Sequence, residues 1–206
     1  MDYRWHHFRN YGFIETQFTN EQLKPIKDEI ETIQSNFDDE KNIKFNKRLA
    51  GNIKREFALS DNSKLHLEKL LLPSTAAYNK EFNYTKTEKQ IRLSESWVNF
   101  QKKHEFNPIH KHIGVYSFVI WIKVPYIMKD EILNSPGAES NTKTSGQFMF
   151  YYTNSLGEIL ECNLAVDKTF ENKSVIFPAS MKHAVNPFYS SDEYRISVSG
   201  NFKVVE

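Results

Sequence analysis

Three histidines and one arginine are the residues of this 206-residue chain whose types and spacing best suit chemistry. His110 and His112 frame one lysine in Asn107-Pro108-Ile109-His110-Lys111-His112. In extended backbone, residues two apart face the same way, so both imidazoles can address one centre. His183 follows far downstream, after Ile176-Phe177-Pro178. Neutral imidazole is the commonest side-chain metal ligand, and a pair plus a distant single histidine suits a site spanning two strands of a barrel. A plainer reading of His-x-His is an exposed strand end.

The second group is Tyr194-Arg195-Ile196-Ser197-Val198-Ser199. In a strand, Arg195, Ser197 and Ser199 share one face, and Ile196 and Val198 the other. An arginine turned into a barrel demands an anion, because an unpaired buried charge is expensive. A carboxylate gripped by both prongs of the guanidinium, with a hydroxyl beside it, meets that demand. So does a protein carboxylate such as Glu161, or a position at the wet rim. His66 and His104 read as surface or partly packed residues, and His6 and His7 as an ordinary terminus.

The elements that must position these groups change character near residue 90. Before it, Leu23, Ile26, Ile30, Ile33 and Phe37 step by three and four, marking one stripe of a helix. Thr19 or Asn20 can cap it, Gln22 completes a capping box with Thr19, and Pro25 belongs in a first turn. A second helix opens near Asp61 or Ser63 and carries Leu65, Leu67, Leu70, Leu71 and Leu72, with Pro73 expected to kink or restart it. From Ile91 onward the period becomes two. Strands are expected near 93–100, 116–124, 147–152, 158–164, 173–177 and 194–205, separated by Asn-, Pro- and Gly-rich turns. Phe118, Ile120, Trp121, Phe148 and Phe150 read as core or cavity lining, and the polar stretch 129–146 as a long loop, a mobile cover for a site. Helices packed on a β sandwich or barrel fit this order better than a parallel α/β sheet.

Composition narrows the function. The 27 Lys+Arg against 26 Asp+Glu leave a net charge of +1, which argues against a dedicated nucleic-acid binder. Sixteen Phe, 10 Tyr and 3 Trp supply a substantial core. The single cysteine, Cys162, excludes an internal disulfide and fits a reducing compartment. No apolar run approaches the ~20 residues that span a bilayer, and the N-terminus lacks a signal-peptide core. One cytoplasmic domain over 1–206 is expected: a helical support region with an N-terminal strand over 1–90, then a β core over 91–206. No feature fixes the oligomeric state.

Asn107-Pro108-Ile109-His110-Lys111-His112, the 116–124 strand, Ile176-Phe177-Pro178, His183 and Arg195-Ile196-Ser197, preceded by Trp97-Val98-Asn99, together resemble the 2-oxoglutarate- and Fe(II)-dependent oxygenases, in particular those encoded by T4-like, often marine, bacteriophages. The likeness covers roughly residues 90 to 205 and extends weakly to Asn46-Lys47-Arg48-Leu49-Ala50-Gly51-Asn52-Ile53. It implies a mainly β fold with flanking helices: a double-stranded β-helix, or cupin-like jelly roll, with the helices on one side. It further implies Fe(II) on His110, His112 and His183, and the distal carboxylate of 2-oxoglutarate on Arg195 and Ser197. Tyr116 would assist the co-substrate, and Asn99 and Trp97 would belong to the pocket. Dioxygen is the remaining reactant, and succinate and carbon dioxide the co-products. If the gene is phage-borne, the host cytoplasm is the compartment. The substrate to be hydroxylated is a small molecule or a peptide, with peptidyl proline the first analogy.

One position departs from the family pattern. The usual triad is two histidines and a carboxylate, and here the carboxylate position holds His112. Two other readings therefore stand: a non-catalytic jelly-roll module that binds a metal or ligand, and a three-histidine, cupin-like dioxygenase that does not use 2-oxoglutarate.

Overall fold

The computed structural model describes residues 1–6, 8–86 and 89–205. His7, read from sequence as part of an ordinary terminus, lies outside the described residues. Two antiparallel sheets face one another. The larger runs β1 (Ile14–Gln17), β8 (Lys173–Pro178), β5 (Tyr116–Lys123), β10 (Arg195–Val204), β3 (Ile91–Gln101), β2 (Glu56–Ala58). The smaller runs β4 (Asn107–His110), β9 (Lys182–Val185), β6 (Phe148–Thr153), β7 (Ile159–Leu164). This is the jelly-roll arrangement. The six anticipated strands are present, and the front part of the chain adds β1 and β2 to the larger sheet's edges. The short β4 and β9, four residues each, carry too little alternation to be read from sequence.

Two helices, α1 (Asn20–Ser35) and α2 (Asp61–Phe82), cover the outer face of the larger sheet. Leu23, Ile26, Ile30 and Ile33 of α1 and Leu67, Leu71 and Tyr78 of α2 pack with Val98, Phe100, Phe118, Ile120, Ile196 and Val198. A second cluster, Val119, Trp121, Val175 and Phe177 with Phe148 and Phe150, fills the space between the sheets. β5 is therefore buried on both faces. The anticipated capping box opens α1: Gln22 N donates to Thr19 Oγ1 at 3.2 Å, and Thr19 N to Gln22 Oε1 at 2.9 Å.

Pro25 departs from expectation, and of the two outcomes expected at Pro73 the restart does not occur. Pro25 sits in the second turn of α1, and α2 continues through Pro73 without a restart. An interior proline costs roughly 3 kcal/mol. Burying Leu67, Leu71 and Tyr78 completely returns about 1.5–3 kcal/mol for each large side chain, so packing wins. The 129–146 stretch differs too. It begins in a short helix, α3 (Met128–Leu133), whose fully buried Glu131 accepts bonds from Tyr189 N, Ser190 N and Ser190 Oγ. Among the described residues, no helix is long and apolar enough to cross a membrane.

β10 lies between β3 and β5, and Gly200 marks the tightest point. A Cβ there would come within 2.5 Å of Glu95 O and 2.7 Å of Phe118 Cε1. Gly200→Ala should lower stability by about 1–3 kcal/mol, the usual cost of overpacking, in urea or thermal unfolding. A variant as stable as the parent would show that β3 and Phe118 yield freely.

Candidate metal and anion site

β4 and β9 are hydrogen-bonded neighbours, and their register places His110 directly opposite His183. His112 follows just past the end of β4, tied back by His112 N to Ala179 O at 2.8 Å. The ring centroids lie 4.2 Å (His110–His183), 5.0 Å (His110–His112) and 5.1 Å (His112–His183) apart. One nitrogen from each ring lies within 4.8 Å of the others, and among the described residues no carboxylate joins this group.

The orientation of two rings is fixed in the manner a metal ligand requires. Each donates from Nδ1 to the carbonyl two residues upstream, His110 to Pro108 O at 2.7 Å and His183 to Met181 O at 3.0 Å. A carbonyl can only accept, so Nδ1 carries the proton and Nε2 keeps its lone pair for the centre. Phe148 lies flat against His183, 15° from parallel at 5.4 Å, and Trp97 borders His112 at 5.7 Å. Burial lowers all three imidazole pKa values: His110 below its usual value, His112 down to about 4, and His183 well below. The three are neutral at pH 7, the form that binds a metal.

Across the cavity, the larger sheet presents the polar face of β10. Arg195, Ser197 and Ser199 line it, joined by Trp97, Asn99 and Gln101 of β3. Register pairs Arg195 with Gln101, Ser197 with Asn99 and Ser199 with Trp97. Trp97 Nε1 donates to Asn99 Oδ1 at 3.1 Å, and Asn99 Nδ2 donates to Ser197 Oγ at 3.2 Å and Ser199 Oγ at 3.4 Å. The serine oxygens accept from Asn99, which leaves each hydroxyl proton available to a bound anion.

Arg195 is 3% exposed and faces no carboxylate among the described residues; Glu161, on β7, is exposed and makes no bond to it. All five N–H groups go to neutral acceptors. Nε and Nη2 both reach Gln101 Oε1 (3.0 and 2.7 Å), Nη2 also Asn186 O (2.9 Å), and Nη1 Tyr126 Oη (2.6 Å) and Gly146 O (2.7 Å). Burial raises the Tyr126 pKa, so its hydroxyl is neutral. The cation thus has hydrogen bonds to neutral groups and no direct ion pair; the buried carboxylate of Glu131 stands beyond them, against Gly146 and Tyr126.

Tyr116 is not in this site. It is fully buried among Tyr78, Tyr84 and the helices, with its hydroxyl donating to Asn79 Oδ1 at 3.5 Å. β5 alternates, and its even-numbered residues face the helices while Val119 and Trp121 face the cavity side. Ile120 is likewise helix-facing core, and Trp121 and Phe148 line the cavity. The sequence reading missed Gln101, Tyr126, Gly146 and Asn186 around the arginine. Gln101 alone had a signal, two residues on from Asn99 and four from Trp97 on one strand face. Leu49, Ala50 and Ile53 of the 46–53 segment also line the cavity. Glu56, opposite Asn99 in register, is fully buried, and burial pushes its pKa up to about 7. It stands outside the imidazole group.

These features have counterparts in known proteins. A family model described as "Putative 2OG-Fe(II) oxygenase" matches residues 95–201, more than half of the chain. No protein of curated function matches the sequence. Among solved structures, a prolyl-4-hydroxylase from Pseudomonas putida is similar at TM-score 0.59 and 11% identity, covering 95% of this chain and 94% of that one. A prolyl hydroxylase from Trichoplax adhaerens, in complex with a hypoxia inducible factor oxygen degradation domain peptide fragment, is similar at 0.56 and 12%, covering 94% and 84%. HygX from Streptomyces hygroscopicus, with nickel and 2-oxoglutarate bound, is similar at 0.54 and 8%, covering 95% and 83%. At such identities the structural likeness is one of fold, and the family match supplies the kinship. A jelly roll whose two sheets bring three imidazoles and a buried guanidinium to one cavity, matched over more than half its length, belongs to the 2OG-Fe(II) oxygenase family.

Proposed function

We propose that the protein is a 2-oxoglutarate-dependent dioxygenase that hydroxylates a peptide or small molecule, with Fe(II) held by His110, His112 and His183. The observation that carries this reading is the convergence of three neutral imidazoles, two with Nδ1 already committed to carbonyls, on a cavity that also contains a buried arginine with no direct ion pair. When bound, Fe(II) with 2-oxoglutarate and dioxygen supplies the oxidising chemistry, with succinate and carbon dioxide as co-products. Arg195 takes the far carboxylate of the co-substrate, and Ser197 donates a hydroxyl proton beside it. Trp97 and Asn99 hold Ser197 in position. Trp121, Phe148 and Phe177 exclude water from the reacting end. The prolyl hydroxylases among the structural neighbours support peptidyl proline as a substrate to test first.

The all-nitrogen ligand set favours a second reading, a three-histidine dioxygenase that consumes oxygen without 2-oxoglutarate. Oxygen uptake with and without 2-oxoglutarate separates the two. Uptake and succinate formation that both require 2-oxoglutarate support the first reading. Uptake that is indifferent to it supports the second, and no uptake with His112→Asp or the parent supports a binding module.

Two outcomes are expected for the ligands themselves. Anaerobic Fe(II) plus 2-oxoglutarate should give the visible charge-transfer band of the chelate, absent in His183→Ala. Arg195→Ala should weaken 2-oxoglutarate binding by roughly 2–5 kcal/mol, read by calorimetry on protein confirmed as folded by circular dichroism. An unchanged affinity removes Arg195 from the site.

The imidazoles also set a pH dependence. His112 is pushed down to about 4 when folded, against an ordinary value of 6.5, so between those values the unfolded chain binds the extra proton. Its contribution to the metal-free protein is complete above pH 6.5 and is lost as pH falls toward 4. His112→Asn should therefore flatten the fall in melting temperature over that window. An identical slope in both proteins would show His112 to be solvated.

A further inference from the structure

Gln101 is the one partner of Arg195 that lines the cavity; Tyr126, Gly146 and Asn186 hold the guanidinium from behind. Its Oε1 bridges Nε–H and Nη2–H, the parallel pair a carboxylate takes with two oxygens. Two of the remaining acceptors are backbone carbonyls of packed segments, whereas an amide side chain can swing. The cavity has a volume of about 40 Å³. At roughly 10–15 Å³ per water, the enclosed part has room for a few waters. Gln101 is itself 3% exposed, anchored by Nε2 to Glu105 O at 2.5 Å.

From this we infer that Gln101 is a carboxylate surrogate. It occupies the cavity-facing edge of Arg195 until the distal carboxylate of the co-substrate displaces it, so it sets co-substrate affinity as a specificity-determining residue. This rests on the 2-oxoglutarate reading and adds to it a competitor built into the chain. A dicarboxylate brings a charge that displaces the neutral amide. A 2-oxo acid lacking the distal carboxylate leaves Gln101 in place.

The test measures binding of 2-oxoglutarate and of 2-oxobutyrate to Mn(II)-loaded protein by calorimetry and by the ligand-induced rise in melting temperature. Gln101→Ala, or Gln101→Ser if the alanine variant folds poorly, should melt lower without ligand and bind 2-oxoglutarate about tenfold more tightly, the scale of a charged hydrogen bond no longer broken on entry. Affinity for 2-oxobutyrate should not change. Gln101→Glu should abolish 2-oxoglutarate binding by closing the edge with an ion pair. Unchanged or weaker 2-oxoglutarate binding in the alanine and serine variants overturns the surrogate role while leaving the oxygenase reading intact. Failure of the parent itself to bind 2-oxoglutarate overturns both.

A different observation carries a second inference, about the substrate. Residues 41–55 hold six lysines and arginines and no acid, and residues 102–112 hold three lysines and one glutamate, in a chain of net charge +1. These segments meet beside the metal ligands: Asn52 N donates to Phe106 O at 2.8 Å, and Gly51 abuts Asn107. Lys47 and Arg48 precede the lining residues Leu49 and Ala50, Lys54 follows Ile53, and Lys111 separates the two histidines. Lys47, Lys54 and Lys111 are exposed and form no ion pair among the described residues. Ile109 and Ile113, 54% and 86% exposed, flank the histidines. Phe106 is the single exposed phenylalanine of the two segments, since Phe45 is buried against Trp97, and His104 is the one other exposed ring. Nucleic-acid grooves stack successive bases on aromatic rings, and cations alternating with isoleucines suit a polypeptide better.

We propose that this rim docks an acidic polypeptide segment and presents one of its side chains to the metal. The probe is a fluorescein-labelled oligoglutamate peptide with internal prolines, followed by anisotropy beside a single-stranded oligonucleotide of equal charge. The peptide should bind, weaken with salt, and lose at least tenfold affinity in Lys47→Glu/Lys54→Glu but not in Lys203→Glu, on the opposite end of β10. Equal binding by the double variant, or tighter binding of the oligonucleotide, overturns the proposal. Docking is tested here without iron or turnover, so its failure is distinct from failure of the oxygenase reading, on which presentation to the metal rests.

Discussion

A cation buried without a direct ion pair is the constraint around which this cavity is organised. Removing a guanidinium from water costs several kcal/mol even after relaxation, and hydrogen bonds to neutral groups recover only part of that. Arg195 draws its five bonds from four separate places: the end of β3, the segment after β5, the turn before β6 and the segment after β9. One side chain therefore sets where those four stretches lie. Gly146 shows how tightly: its φ is +69°, its carbonyl faces Arg195, and a Cβ would stand 3.0 Å from Tyr126 Oη and 3.1 Å from Glu131 Cγ. A side chain there would be strained in its backbone and crowded against the group that holds the arginine.

The same charge governs how the metal and the anion depend on each other. With histidine where the family usually has a carboxylate, the proposed ligand set would offer a divalent ion three neutral ligands. The arginine across the cavity adds another positive group. A dianion that reached both would relieve two unfavourable terms at once, so on this reading metal and co-substrate would each lower the cost of holding the other. In a site with a carboxylate ligand, the metal already has a partial counter-charge before the co-substrate arrives. If the proposed ligand set holds the metal, histidine at 112 would shift affinity from the protein–metal bond to the ternary assembly. It would also loosen selectivity, because an all-imidazole set suits zinc, copper or nickel as well as iron.

Much of the site was legible because its chemistry follows strand parity. His-x-His at a strand end and Arg-x-Ser within a strand declare which residues share a face, and the structure keeps both groupings. Parity fails where both faces are buried. Tyr116–Lys123 is almost continuously apolar, so nothing in the residues says which phase faces the helices, and Tyr116 falls on that side. The interior prolines were illegible for another reason: a local penalty is visible in sequence, whereas the packing that outweighs it depends on distant residues. The cage around Arg195 was hidden because two of its acceptors are backbone carbonyls, which any residue supplies.

The helices contribute no ligand, yet they determine the site's geometry through β10. That strand turns Ile196 and Val198 to the helical core and Arg195, Ser197 and Ser199 to the cavity. A slip of one residue would exchange the two sets, burying a cation and two hydroxyls under α1 and α2. What prevents the slip is the apolar cost on the helix side together with the fit at Gly200, which no other register would place against Phe118 and Glu95. The irregularities between Ile196 and Ser197 against β5, and between Asn201 and Phe202 against β3, absorb the twist at either end of this stretch. Precision at the polar face is thus inherited from packing at the apolar one. The front part of the chain acts on the chemistry by fixing the phase of a strand it does not contain.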